Sequence, residues 1–266
     1  MHIFTLASGS AGNCTLVQDG ETSLLIDAGI SAKRICAGLN ALGVSVDELS
    51  GILITHEHSD HISGLATLVK HHNIPILAPR TVANHLRYSI AGVDDYITEL
   101  PVGEESRIGG IYAVPFHTPH DTPESVGYRL EGANAIFGFC TDCGHVTGEM
   151  LEALRGADAA VVESNHDVEM LKAGSYPLPL KRRILSDNGH LSNDCCAALA
   201  LEMLRHGTKS LVLGHISREN NTPELALRTV SAALSREGAR VGHDVRVFTA
   251  PEREPLELCV KEDVPC

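Results

Sequence analysis

Tryptophan is absent from the 266 residues, and five tyrosines with five phenylalanines bring the aromatic share to only 4 %. A core built with so few large rings must rely on aliphatic and small side chains. Long apolar runs are missing too. No stretch approaches the roughly 18 consecutive apolar residues of a membrane span. Met1-His2-Ile3-Phe4-Thr5-Leu6 runs straight into a strand pattern, without the basic and apolar segments of a signal peptide. No membrane partner is expected, and the chain is expected in the cytoplasm. Basic charge is scarce: 21 Lys and Arg face 34 Asp and Glu, a net charge of −13. That balance argues against a broad basic face for duplex nucleic acid, and leaves room for small substrates or exposed strand ends. The eight cysteines are scattered, with Cys195 and Cys196 adjacent, and do not suggest a disulfide framework. No interior linker rich in Pro or Ser divides the chain, so residues 1–266 are expected to form a single domain.

What the chain does have is a concentration of histidine. His56-Glu57-His58-Ser59-Asp60-His61 follows the apolar run Gly51-Ile52-Leu53-Ile54-Thr55. That run predicts a buried strand, so the six residues fall where a strand ends and the chain turns. Imidazole and carboxylate donors suit zinc, manganese or iron, and no thiolate is needed. His56 and His58, two apart on a strand end, point to the same side and can grip one metal. Asp60 and His61 enter the next helical turn and face a second, about 3.5–4 Å away.

Around this cluster the pattern alternates strands and helices. Helices are expected over residues 31–42, stopped by Gly43, and over 62–72, with another from Thr81 to before Gly92. A short strand is expected over 74–77, and residues 96–139 should supply several antiparallel strands. The second half predicts a helix over 149–155, a strand over 159–163, a helix from Ser192 to Arg205 and a strand over 210–214. The last helix has Thr222 as N-cap, Pro223 at its first position and Gly238 past its end. A final strand over 245–249 and a loose acidic tail close the chain. Helices after each run of strands fit two packed sheets with helices outside.

His-x-His-x-Asp-His after a strand resembles the metallo-β-lactamase fold superfamily. Further positions agree: Asp27 closes the strand 23–26, His120 follows the strand 111–116, Asp142 follows the strand 135–139, and His215 ends the strand 210–214. Within the superfamily, residues 6–14 (LASGSAGNC), 25–29 (LIDAG), 163–167 (ESNHD), 189–193 (GHLSN) and 215–221 (HISRENN) resemble the YycJ/WalJ group. The same blocks are similar to tRNase Z. The resemblance implies an α/β (α+β) fold, the four-layer αββα metallo-β-lactamase sandwich, and a metal-dependent hydrolase. The activity implied is phosphodiester cleavage, as an exonuclease on DNA ends with RNA also possible as substrate. Only 73 positions separate Asp142 from His215, too few for the inserted domain of β-CASP nucleases, and no Gly-rich basic arm of the tRNase Z kind is evident.

The resemblance also implies the site residues. Two divalent ions, Zn²⁺ or Mn²⁺ with Fe also possible, are expected: one on His56, His58 and His120, the other on Asp60, His61 and His215, with Asp142 bridging. His117 competes with His120 as third ligand. A hydroxide held between the metals is the expected nucleophile, Asp60 being counted among the catalytic groups. His190 is expected to act on the leaving group, with Glu163 positioning it, against the plainer reading that His190 packs its loop. Asp27 is expected behind the ligands, fixing ring orientation. Ser8, Asn13, Asn165, Ser217 and Asn220 are expected to support the metal loops or touch substrate, although residues 8–13 also read as an ordinary turn. Cys140-Thr141-Asp142-Cys143 has redox spacing, but the expected bridging aspartate sits in its middle and the cysteines read rather as small buried packing residues. Lys181-Arg182-Arg183 is either a local attraction for phosphate or a solvated basic run. A small-molecule ester, thioester or cyclic-nucleotide hydrolase is the alternative activity, and a non-hydrolytic iron scaffold, as in flavodiiron proteins, is a third reading. His58 and His61 argue against the scaffold.

Overall fold

The computed structural model describes residues 1–260. In chain order the first half runs β1 (His2–Ala7), β2 (Cys14–Asp19), β3 (Thr22–Ile26), α1 (Ala32–Ala41), β4 (Gly51–Leu53), α2 (Ser59–Ile62), α3 (Leu65–His71), β5 (Ile76–Ala78), α4 (Arg80–Ser89) and β6 (Ile97–Glu99). The second half runs β7 (Ser106–Ile108), β8 (Ile111–His117), β9 (Val126–Glu131), β10 (Ile136–Cys140), α5 (Gly148–Leu154), β11 (Ala159–Glu163), α6 (Val168–Ala173), α7 (Leu178–Ile184) and α8 (Asn193–Arg205). It continues with β12 (Ser210–Gly214), α9 (Pro223–Arg236), β13 (Arg246–Thr249) and β14 (Leu256–Cys259). The strands form two sheets of seven, ordered β14-β1-β2-β3-β4-β5-β6 and β13-β12-β11-β10-β9-β8-β7.

Each sheet joins an antiparallel meander to a parallel run. The side-chain alternation explains the layering. In β3, Leu24 and Ile26 face the second sheet while Leu25 faces α1 and α3; in β12, Val212 faces the first sheet while Leu211 and Leu213 face α8 and α9. Because both faces are covered, these strands are apolar throughout rather than alternately polar. Three separate cores result: helices against sheet one, sheet against sheet, and sheet two against helices, which is the αββα order. Each fully buried aliphatic side chain in them contributes about 1.5–3 kcal/mol. Tyr128, the largest fully buried side chain, lies between the sheets, and its hydroxyl donates to the Ile54 carbonyl at 2.6 Å. That bond ties sheet two to the segment leading into the histidine cluster.

Several elements differ from the sequence reading. The helix expected over residues 62–72 is two helices, α2 and α3, because the chain at Gly64 packs against backbone: its N–H donates to the Ala28 carbonyl, and a Cβ there would overlap the Ile30 carbonyl. β4 stops at Leu53, and β13 starts at Arg246. The tail is not loose where it is described, since β14 pairs antiparallel with β1 from His2↔Cys259 to Thr5↔Leu256; residues 261–266 lie outside the described residues. Neither α6 nor α7 is evident in the sequence, being six and seven residues long, too short to show a helical period. Among the described residues no helix is long and apolar enough to cross a membrane.

Candidate metal centre

β1, β3, β4, β8, β10, β11 and β12 all point their C-terminal ends to one end of the sandwich, and the loops that follow them meet there. Three residues on these loops carry the strain of that meeting. Asp27 (φ 62°), Asp142 (φ 58°) and His215 (φ 52°) are the non-glycine residues with left-handed backbone among those described. A side chain in that region costs of order 1–2 kcal/mol, and the surrounding packing must hold it there. The turn redirects each side chain from its strand into the space between the sheets.

The side chains converge. His58 Nδ1 lies 3.3 Å from His120 Nε2, and the His56 ring centroid lies 4.7 Å from that of His58 and 5.1 Å from that of His120. In a second group, Asp60 Oδ2 is 3.6 Å from His61 Nε2 and 3.5 Å from His215 Nε2. Asp142 stands between them: its Oδ2 is 3.1 Å from His61 Nε2, and its Oδ1 is 3.2 Å from His215 Nδ1 and 3.9 Å from His120 Nε2. Within each of these groups the donor atoms lie within 4.8 Å of one another. His117 is not among them; it is exposed, with Nδ1 3.1 Å from Glu149 of α5.

The far sides of the His56, His61 and His120 rings are held by hydrogen bonds, which sets their inward nitrogens free. Asp27 is fully buried and accepts from the Thr55 N–H at 2.9 Å, the Thr55 hydroxyl at 3.0 Å and His61 Nδ1 at 2.7 Å. The Thr55 hydroxyl in turn lies 3.0 Å from His56 Nδ1, and His120 Nδ1 donates to the Gly189 carbonyl at 3.1 Å. With protons on the Nδ1 atoms, the Nε2 lone pairs of His56, His61 and His120 face the centre. Asn13 joins the turn at residues 8–13 to this loop, its N–H donating to the Asp60 carbonyl at 2.8 Å and its side-chain nitrogen lying 3.1 Å from His61 Nε2. The packing here is backbone on backbone: a Cβ on Gly29 would overlap the Asp60 carbonyl.

Glu163 is the buried hub of the second sheet. Its Oε2 accepts from the Cys143 N–H at 2.9 Å and the Leu191 N–H at 3.1 Å; its Oε1 lies 2.8 Å from His190 Nδ1 and 2.9 Å from His215 Nδ1. Burial alone would raise this carboxyl, but the two imidazoles hold it down to about 2. Burial pushes His190 downward, yet Glu163 and Asp142 outweigh it and raise the imidazole above its ordinary range. The His190 ring lies 5.1 Å from that of His120 and 5.2 Å from that of His215, and it lines a 200 Å³ cleft with Ser10, His58, Asp60 and Arg183.

The remaining predicted residues stand behind this centre. Ser8 Oγ accepts from the His215 N–H at 2.8 Å, and Asn165 Nδ2 donates to the His215 carbonyl at 2.9 Å, so both hold the strained His215 turn. Ser217 and Asn220 lie on the loop beyond it, where Ser217 Oγ accepts from the Asn220 N–H at 3.3 Å and the Ser217 N–H donates to the Asn165 carbonyl at 2.8 Å. Cys140 and Cys143 are buried with sulfurs 3.9 Å apart, packed in the core between sheet two and its helices. The sequence reading missed Thr55, and it held Ser10 only within the turn at residues 8–13 and Arg183 only within the basic run 181–183. Thr55 carries a signal, a hydroxyl abutting the first histidine; Ser10 and Arg183 reach the cleft only through tertiary packing.

The donor set fits divalent metal. His56 Nε2, Asp142 Oδ2 and His215 Nε2 are buried and have no hydrogen bond, a costly state for polar atoms unless something else satisfies them. Donors about 2.1 Å from one tetrahedral ion lie about 3.4 Å apart, close to the 3.3–3.6 Å spacings within the two groups. All are nitrogen or carboxylate oxygen, suited to zinc, manganese or iron. An αββα sandwich with such a centre at its strand ends is the architecture of a metal-dependent hydrolase. The sequence matches the beta-lactamase superfamily domain over residues 22–216, and the chain belongs to that superfamily. Within it the chain belongs with the YycJ/WalJ proteins. It is 38 % identical over 259 residues to the exodeoxyribonuclease YycJ of Bacillus anthracis, covering 97 % of this chain and 98 % of that one. It is 38 % identical over 253 residues to the exodeoxyribonuclease WalJ of Streptococcus pneumoniae, covering 93 % of each. The fold also superposes on Zn²⁺-bound PqqB from Methylobacterium extorquens with a TM-score of 0.71 at 18 % identity, over 97 % of this chain and all of that one.

Proposed function

We propose that this chain is a dinuclear metal phosphodiesterase that removes nucleotides from the ends of DNA. The observation that carries the reading is Asp142, which stands between the two groups of donors: its carboxylate lies 3.1 Å from His61 Nε2 and 3.2 Å from His215 Nδ1 of one group, and 3.9 Å from His120 Nε2 of the other. The two relatives of near-complete coverage that bear the name exodeoxyribonuclease support DNA as substrate. Two zinc or manganese ions held by these residues would supply an activated water and neutralise charge on the phosphate. The chain's own residues do the rest. Asp27 and Thr55 fix the ring orientation of His56 and His61. Glu163 holds the Nδ1 side of His190, which leaves Nε2 directed at the cleft, where it delivers a proton to the departing alkoxide. The net charge of −13 favours a second reading, hydrolysis of a small ester, thioester or cyclic nucleotide. Metal analysis of the purified protein, with Mn²⁺- or Zn²⁺-supported cleavage of end-labelled DNA and RNA, bis-p-nitrophenyl phosphate and a thioester, separates them. Two metals per chain and release of nucleotides from DNA are expected. Turnover of thioesters alone, or fewer than two bound ions, would overturn the proposal.

A further inference from the structure

The basic run Lys181-Arg182-Arg183 lies on the last turns of α7 rather than on a loop. Successive helical residues are about 100° apart, so the three cations point in different directions. Lys181 is committed to structure: its Nζ donates to the carbonyls of Lys172 and Gly174, both at 2.7 Å, closing the end of α6. Arg182 is exposed to solvent. Of the three, Arg183 lines the metal cleft, and among the described residues it is the one Lys or Arg that does so.

Its guanidinium is held from one side and open on the other. Nε donates to Asp121 Oδ2, while its two terminal nitrogens make no hydrogen bond among the described residues. Asp121 Oδ1 lies 3.3 Å from His120 Nε2, so the anchor is itself attached to the ligand cluster. The end of α7 is fastened to the catalytic loop by backbone: the Gly189 N–H donates to the Ser186 carbonyl at 2.9 Å, and the His190 N–H to the Ile184 carbonyl at 3.1 Å. A Cβ on Gly189 would overlap the carbonyls of Arg183 and Ile184, so only glycine lets the chain pass this close. Arg183 and His190 therefore sit on one rigid unit beside the same cavity.

We propose that Arg183 is the phosphate-recognition residue of this cleft, its free guanidinium fork binding a non-bridging phosphate oxygen beside His190. The assignment rests on the phosphodiesterase reading above. A planar fork pairs with phosphate bidentately, and in a chain of net charge −13 it places a fixed positive charge at the rim. It selects anionic phosphate esters over neutral esters that enter the same cavity.

The test uses the metal-loaded full chain with Arg183→Ala, Arg183→Lys and, as a control for general charge, Arg182→Ala. Binding of thymidine 5′-monophosphate is measured by calorimetry, and turnover with bis-p-nitrophenyl phosphate and with neutral p-nitrophenyl acetate. Arg183→Ala should weaken nucleotide binding and lower kcat/KM on the diester by about 10- to 100-fold. Arg183→Lys should recover part of this, Arg182→Ala should match the wild type, and any acetate turnover should be unchanged. Equal nucleotide affinity in Arg183→Ala and wild type overturns the inference, as does an equal loss in Arg182→Ala. A wild type that cleaves the diester while Arg183→Ala cleaves it equally well overturns the inference alone. A wild type that neither cleaves the diester nor binds the nucleotide overturns the phosphodiesterase reading and the inference together.

Discussion

Replacing Glu163 with Gln probes the most heavily bonded side chain of the centre. The carboxylate is fully buried and receives four donors, two backbone N–H groups on Oε2 and two imidazole nitrogens on Oε1. A carboxamide has one oxygen, so in either orientation its NH₂ faces two of these donors. Turned toward Cys143 and Leu191, it meets N–H groups that have nothing else to bond. Two charge-assisted bonds are then lost at about 1.5–3 kcal/mol each, or about 3–6 kcal/mol in all. Turned toward the imidazoles, it forces His190 and His215 to accept at Nδ1, which places their protons on Nε2. His215 then presents an N–H instead of a lone pair to the ligand cluster, and metal affinity falls. Glu163→Gln is therefore expected either to lose at least about 3 kcal/mol of unfolding free energy or to lose bound metal. Urea unfolding of the chelator-treated protein and metal content of the untreated protein measure the two branches. A stability change below about 1 kcal/mol together with wild-type metal content would refute the reasoning.

Three further outcomes follow from the same geometry. Asp142→Ala should abolish hydrolysis and lower metal content while circular dichroism stays native, because the side chain serves the centre and not the core; full activity would remove Asp142 from the ligand set. His190→Ala should keep its metals and lose about 10²–10⁴-fold on a diester with a poor leaving group, but far less with p-nitrophenolate, which departs without a proton; equal losses on the two would exclude proton donation by His190. His166 is 1 % exposed, and burial lowers its imidazole to about 4. The unfolded chain therefore takes up this proton first on acidification. Stability attributable to His166 is intact above the unfolded value near 6.5 and declines as pH falls toward about 4, by about 3 kcal/mol in total. His166→Gln should flatten that part of the stability curve relative to wild type, and parallel curves for the two proteins would contradict the assignment.

The histidine cluster, the acidic residues after strands and the order of layers were legible in the sequence because each rests on local spacing. Strand runs such as Ala159–Glu163 and Ser210–Gly214 are apolar on both faces and are closed by Glu163 in the one and followed by His215 in the other, so the sequence itself marks where each chemistry-bearing turn begins. Cap residues such as Ser192 and Thr222 announced their helices in the same way. Tertiary structure decided the rest. That Asp27 meets His61, that Glu163 serves His190 and His215 together, and that β14 closes on β1 all depend on which strands pair within each sheet and how the loops after them fold, across sequence separations that carry no periodic signal. The same holds for the basic run. In sequence its three cations are equivalent; the rotation of α7 and the close passage at Gly189 send Lys181 to the end of α6, Arg182 to solvent and Arg183 to the cleft. Local spacing determines which residues stand at a strand end, but only packed layers determine which of those ends come within bonding distance.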